Sequence, residues 1–132
     1  MTEVALLTTA LLFGGMVLYS FGFAAFVFNA LPAETAGPLI RRAFPHFYLS
    51  VMGTSAAAAA VVAFSDDWIS AGLLAVIALT TVFARQVLMP AINAATDTKK
   101  KGRFKALHGL SVLITLAHIG AAGAVIVRLA NA

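Results

Sequence analysis

Charge-free apolar runs alternate with short charged segments along the whole chain. Glu3 and Glu34 bound the first run, Arg42 and Asp66 the second, Asp67 and Arg85 the third, and Lys105 and Arg128 the fourth. Crossing ~30 Å of hydrocarbon takes roughly 20 apolar residues in a helix. Three runs exceed that length. The third is about 17 residues long, and the aliphatic stem of Arg85 extends it by letting the guanidinium reach the interface. The pattern predicts an all-α integral membrane protein: one domain, 1–132, with four transmembrane helices at about 4–31, 45–64, 68–90 and 103–129. At 1.5 Å per residue the first helix is about 40 Å long, more than the bilayer core needs, so it tilts or protrudes.

Local signals set the expected boundaries. Leu31-Pro32 ends the first helix, because the residue before proline is pushed out of helical geometry. The segment from Pro32 to Arg42 reads as a loop. Pro45 suits the first turn of the second helix, where its missing N–H has no partner to lose. Phe44, Phe47 and Tyr48 suit the membrane–water boundary, as does Trp68 at the start of the third helix. Asp67 is placed to cap that helix. Pro90 marks its exit, and Asn93 to Gly102 reads as a polar loop. Small residues let membrane helices approach closely. Gly53 with Ala56, Ala57 and Ala60, and Gly120 with Ala124, are therefore expected to face other helices.

Composition agrees. The chain is 61% hydrophobic and 11% charged, against about 25% charged residues in soluble domains. There is no cysteine, which removes disulfides, thiolate metal sites and cysteine nucleophiles together. The N-terminal run lacks a basic leader and is about twice the length of a signal-peptide core, so it reads as a retained first helix. The formal net charge of +4 belongs to topology and anionic lipid, not to nucleic acid. Arg41 and Arg42 lie in the first connection, and Lys99, Lys100, Lys101, Arg103 and Lys105 in the third; the opposite side offers only Arg128 beside Asp66 and Asp67. The positive-inside rule then places the basic connections in the cytoplasm and both termini outside. Arg41, Arg42 and the three consecutive lysines are candidates for anionic lipid.

Few residues point to chemistry. Arg85 is an ionisable group at the edge of a span, where such groups snorkel or face protein. A guanidinium has five donors and no acceptor, so it needs oxygens. The Asn29 side chain, carbonyls around Leu31 and Ala43, Glu34 and Asp97 are the candidates. Asn29, Pro45, Arg85, Pro90, Asn93 and His108 are expected to form one cluster on the cytoplasmic side. His46 and His108 stand near the same ends of the second and fourth helices. Two imidazoles at one depth suit a b-type haem; they also suit interfacial bonding to backbone or lipid. His118 is about 15 Å deeper than His108 and reads as a helix–helix hydrogen-bonding residue. Met16 and Met52 read as core packing. No phosphate loop, nucleophile triad or carboxylate pair in a cleft is present, so no enzyme is expected.

Two blocks carry a resemblance. The first is Phe26-x-Phe28-x-x-Leu31-Pro32, then Gly37, then Phe44-Pro45-x-x-Tyr48-x-Ser50-x-x-Gly53. The second is Arg85-x-x-Leu88-x-Pro90-x-Ile92-Asn93, then Phe104-x-x-x-His108-Gly109-x-Ser111. Their order and spacing resemble the transmembrane protein 205-like family, also known as domain of unknown function 4149. The resemblance implies a four-helix membrane protein and brings no reaction with it. Arg85 and His108 fall within matching motifs; His46 stands where the family often has an aromatic. Two function classes follow: a structural, accessory or small-solute-handling protein of the inner membrane, alone or as a homo-oligomer or part of a larger complex, and a haem- or metal-binding redox module similar to copper-resistance-D-like domains, using His108 and His46.

Overall fold

The computed structural model describes residues 2–132. Four long helices account for nearly all of them: α1 Thr2–Ala30, α2 Ala33–Ala63, α3 Trp68–Asp97 and α4 Lys101–Ala130. Each is long and apolar enough to cross a membrane, and there is no strand among the described residues. This is a multi-pass membrane protein by helix length and composition. The short connections make sequential helices antiparallel neighbours. α2 packs most extensively on α3, while α1 lies against α2 and α4, and α4 closes back onto α3. The bundle therefore has one end with the two termini and the α2–α3 turn, and one end with the α1–α2 and α3–α4 turns. The basic residues of those two turns mark the second end.

Two helix boundaries differ markedly from the sequence reading, and prolines explain both. α2 begins at Ala33 and runs straight through Pro38 and Pro45. The expected loop from Pro32 to Arg42 is therefore mostly helix, with only Leu31 and Pro32 between α1 and α2. α3 likewise runs past Pro90 to Asp97. Membrane helices tolerate interior proline when the freed backbone groups find other partners. Ahead of Pro90, residues Ala84–Leu88 form a π turn. That wider turn opens the backbone that the proline ring would otherwise strike. The α3–α4 connection shrinks to Thr98–Lys100. Its chain reversal is a Schellman arrangement: Lys99 N–H donates to Thr96 O, Lys100 N–H donates to Ala95 O, and Lys99 is left-handed at φ 56.

The termini end is tightly packed. Ala5, Ala58, Leu74, Ala122 and Val125 have no exposed surface. Thr9, Ser55 and Thr81 are buried there too, and each hydroxyl donates to the carbonyl four residues back on its own helix. This satisfies polar atoms without help from another element. Asp67 caps α3 as expected, accepting from the Ser70 N–H and hydroxyl. Arg128 at the end of α4 donates to Asp67 and to Ser70. The Ser70 hydroxyl, then Arg128, hold the Asp67 carboxyl down at about 2.

The small-residue faces are not where they were expected. Gly53, Ala56, Ala57, Ala60, Gly120 and Ala124 are all exposed, and among the described residues nothing lies within 4 Å of a Cβ built at Gly53 or Gly120. The buried stripes are Val51, Ser55, Ala58 and Val62 on α2, and His118, Ala122, Val125 and Leu129 on α4. Both stripes step by three or four residues, as one helix face must. The exposed glycines lie on the opposite faces.

Candidate functional site

The basic end is built differently. In α1, residues Leu18–Phe23 form a π turn. It brings Tyr19 against the aromatic run of α2: the Tyr19 ring stacks on Phe47 at 4.7 Å and meets Phe44 edge-on at 5.7 Å. The Tyr19 hydroxyl donates to Ala43 O at 3.0 Å. Phe47 is buried, so this run works as an interhelical wall and not as the interfacial belt the sequence suggested. The pairs are offset-stacked or edge-to-face, the geometries aromatic quadrupoles favour.

One side of this wall is a cleft between α1 and α2 that His46 lines. On the other side, a cavity of about 680 Å³ draws lining residues from all four helices. α1 contributes Ser20, Phe21 and Phe28; α2 contributes Arg41, Phe44 and Tyr48. α3 contributes Met89, Asn93 and Thr96, and α4 contributes Phe104, His108 and Thr115. The cavity lies beside the first half of α4, which is more loosely packed than the second. Among the described residues, none between Lys101 and Ala117 is buried. Its size falls in the range of small-molecule sites, about 300–1,000 Å³.

The expected cluster divides. Arg85 reaches the carbonyl of Pro45 with Nε at 3.2 Å, tying α3 to α2, and donates to the Gln86 side chain at 2.8 Å. Its oxygen is thus a protein oxygen, in the stretch around Ala43 that the sequence pointed to. Asp97 is taken by Arg41, which holds it through two bonds of 2.7 and 2.9 Å. Asn29 bonds back to Ala25 O on its own helix and is exposed. Pro90 is exposed. Asn93 and His108 do share a space, the four-helix cavity, where the His108 ring stacks on Phe104 at 5.5 Å. His46 and His108 line different cavities. No group of three or more His, Asp or Glu among the described residues is placed to hold a metal ion.

His118 sits deeper, at 9% exposure, and its Nε2 pairs with the Thr80 hydroxyl. That hydroxyl has one proton and also lies 2.7 Å from Val76 O. When the proton goes to Val76, Nε2 is the donor; when it goes to the imidazole, Nε2 is the acceptor. This is the helix–helix bond expected of His118.

Sequence reasoning missed Ser20. Its Oγ is buried and has no hydrogen-bond partner. The one sequence signal is a small polar residue inside Tyr19-Ser20-Phe21-Gly22, and it read merely as a small residue. It lies within the π turn, whereas Thr9, Ser55 and Thr81 lie in regular α-helix and bond to the carbonyl four residues back.

No curated protein and no solved structure matches the chain. The model of the family described as domain of unknown function DUF4149 matches residues 7–101. That stretch includes both π turns, the aromatic wall, Arg85 and the Arg41–Asp97 pair, and stops where α4 begins. The chain belongs to the family of domain of unknown function 4149.

Proposed function

We propose that this is an inner-membrane protein, with its basic turns in the cytoplasm and both termini outside, that handles a small membrane-soluble molecule without transforming it. The observation that supports this reading is the cavity of about 680 Å³ lined from all four helices at the basic end. A bundle serving only as a structural subunit has no need of such a space, and the close-packed termini end demonstrates that this sequence packs without one. A haem held by His46 and His108 together is less well supported, because the two rings line separate cavities. Arg42, Lys99, Lys100 and Lys101 are exposed on the same end, where anionic head groups would favour them. Arg41 is already engaged by Asp97.

Native mass spectrometry of the protein extracted with its own lipids tests the reading. The wild type should carry a bound small molecule other than bulk phospholipid, and Thr115→Phe, which fills the cavity, should lose it. If both proteins carry the same complement, the structural or accessory role replaces the proposal. Reporter fusions at Ala132 that are active only in the cytoplasm would reverse the orientation.

A further inference from the structure

We propose that the cavity takes an uncharged, ring-bearing, membrane-soluble molecule and anchors a hydroxyl or carbonyl oxygen of it at Ser20, with Asn93 and Thr115 beside it. This rests on the cavity reading above and names the class of its occupant. Four observations carry it.

The first is the unpartnered Ser20 Oγ. The span hydroxyls of Thr9, Thr54, Ser55 and Thr81 all donate to a carbonyl four residues back. Ser20 sits inside the π turn Leu18–Phe23 and lines the cavity. A buried polar atom without a bond carries its desolvation cost uncompensated. Such an exception among the fully buried side-chain polar atoms marks a place where something else supplies the partner. π turns recur at such places because they re-aim side chains.

The second is convergence. Asn93 on α3 and Thr115 on α4 line the same cavity, and their side chains have no hydrogen-bond partner among the described residues. Polar groups from three helices thus meet one space. Both carbonyl and hydroxyl ligands suit them, since serine, threonine and asparagine donate and accept.

The third is charge. Of the Asp, Glu, Lys and Arg side chains, only Arg41 lines the cavity, and Asp97 neutralises it through a two-bond fork. A charged ligand would enter with no carboxylate, lysine or unpaired arginine to meet it, and the neutral imidazole of His108 would not offset the cost of burying its charge. The fourth is the remaining lining, in which Phe21, Phe28, Phe44, Tyr48 and Phe104 present ring faces and edges. These favour a flat, apolar ring system over a flexible chain.

Four probes sharing one ring system separate these claims: pyrene, 1-pyrenemethanol, 1-pyrenesulfonate and the 1-pyrenemethylammonium ion. Each is titrated onto the full-length protein in phosphatidylcholine nanodiscs, and bound probe is counted after gel filtration with protein-free discs subtracted. Saturable binding of 1-pyrenemethanol is expected, about tenfold tighter than pyrene, the value of one net hydrogen bond. The two ions should show no saturable component. Ser20→Ala should bring 1-pyrenemethanol down to the level of pyrene and leave pyrene unchanged. Its melting temperature without probe should be no lower than that of the wild type, because the hydroxyl it removes has no partner. A lower melting temperature would mean that Ser20 is already bonded within the protein. Tightest binding by the sulfonate would make this an anion site, and equal binding of pyrene and 1-pyrenemethanol would remove the polar anchor; either overturns the ligand class and leaves the cavity reading standing. If no probe binds saturably, the cavity reading falls and this proposal with it.

Discussion

At the termini end, buried residues of all four helices meet: Leu12 and Met16, Ala58 and Val62, Leu74 and Ile77, Ala122 and Val125. Every buried hydroxyl there is bonded, and the Asp67–Ser70–Arg128 group closes the rim. At the basic end, the first half of α4 has no buried residue among those described, and Ser20 Oγ is buried without a partner. Both ends draw on the same residue types, so composition does not separate them. Backbone register does. The termini end is regular α-helix, in which a hydroxyl finds the carbonyl four residues back. The basic end contains two π turns, Leu18–Phe23 and Ala84–Leu88; the first carries Ser20 and Phe21, which line the shared cavity. One end is closed by packing, and the other encloses a cavity.

Matched substitutions sharpen the contrast, and the largest effect belongs to the tight end. Ala58 has no exposed surface, so Ala58→Leu must displace its core neighbours and should cost about 1–3 kcal/mol of stability in detergent. The same enlargement at Thr115 enters empty space, and Thr115→Leu should stay within about 0.5 kcal/mol of the wild type. Equal losses at the two sites would mean that the basic end is packed as tightly as the other.

Next comes the clasp. Asp67→Ala removes the cap of α3 and the partner of Arg128, and should cost about 0.5–2 kcal/mol. The wild type should also lose this contribution in acid. The folded carboxyl is held at about 2, below its ordinary 3.8, so its stabilisation is complete above the ordinary value and disappears as pH falls from about 4 towards 2. Melting curves of wild type and Asp67→Ala should converge across that interval. Curves that stay parallel would show that the carboxylate has no special partner.

A smaller effect is expected at Arg85, half-buried and bonded to the Pro45 carbonyl. Arg85→Ala and Arg85→Leu should each cost about 1 kcal/mol and differ little, one net hydrogen bond being lost in both. Arg85→Lys should recover only part, since an ammonium does not reproduce the planar fork. Full recovery would reduce the residue to a cation at the interface. The smallest change is Lys99→Gly. Lys99 is left-handed at φ 56, and glycine there should gain about 0.5–1 kcal/mol. A loss would show that the lysine side chain contributes more than its backbone costs.

The fold was legible because hydropathy reports the solvent directly. Charge-free runs bounded by Glu3, Arg42, Asp67 and Lys105 located all four helices. Boundaries at Pro45 and Pro90 were misread because the proline rules come from helices in water, where an unpaired carbonyl turns to solvent; in a membrane it must be satisfied inside the protein, and the helix continues. Faces were misread for a related reason. Glycine and alanine occur on both sides of α2, so residue size does not distinguish the stripe through Ala58 from the one through Gly53. At the site, the requirement that Arg85 find a protein oxygen was readable from its donors. Which oxygen was not, because the expected loop carbonyls lie in a helix. Ser20 was invisible, since nothing in the sequence around it distinguishes it from a serine bonded within its own helix.

The chain has no cysteine, so a single introduced thiol reports its surroundings without background. Ser20→Cys and Ser55→Cys, both in phosphatidylcholine nanodiscs, place that thiol in the cavity and in the closed end respectively. Reaction with N-ethylmaleimide, small and uncharged, is then followed by mass spectrometry. The account predicts that Ser20→Cys is labelled, that 1-pyrenemethanol protects it, and that Ser55→Cys stays unmodified over the same time. Equal labelling of the two positions, or an inert Ser20→Cys, would contradict the division of this bundle into a closed end and a ligand-accepting one.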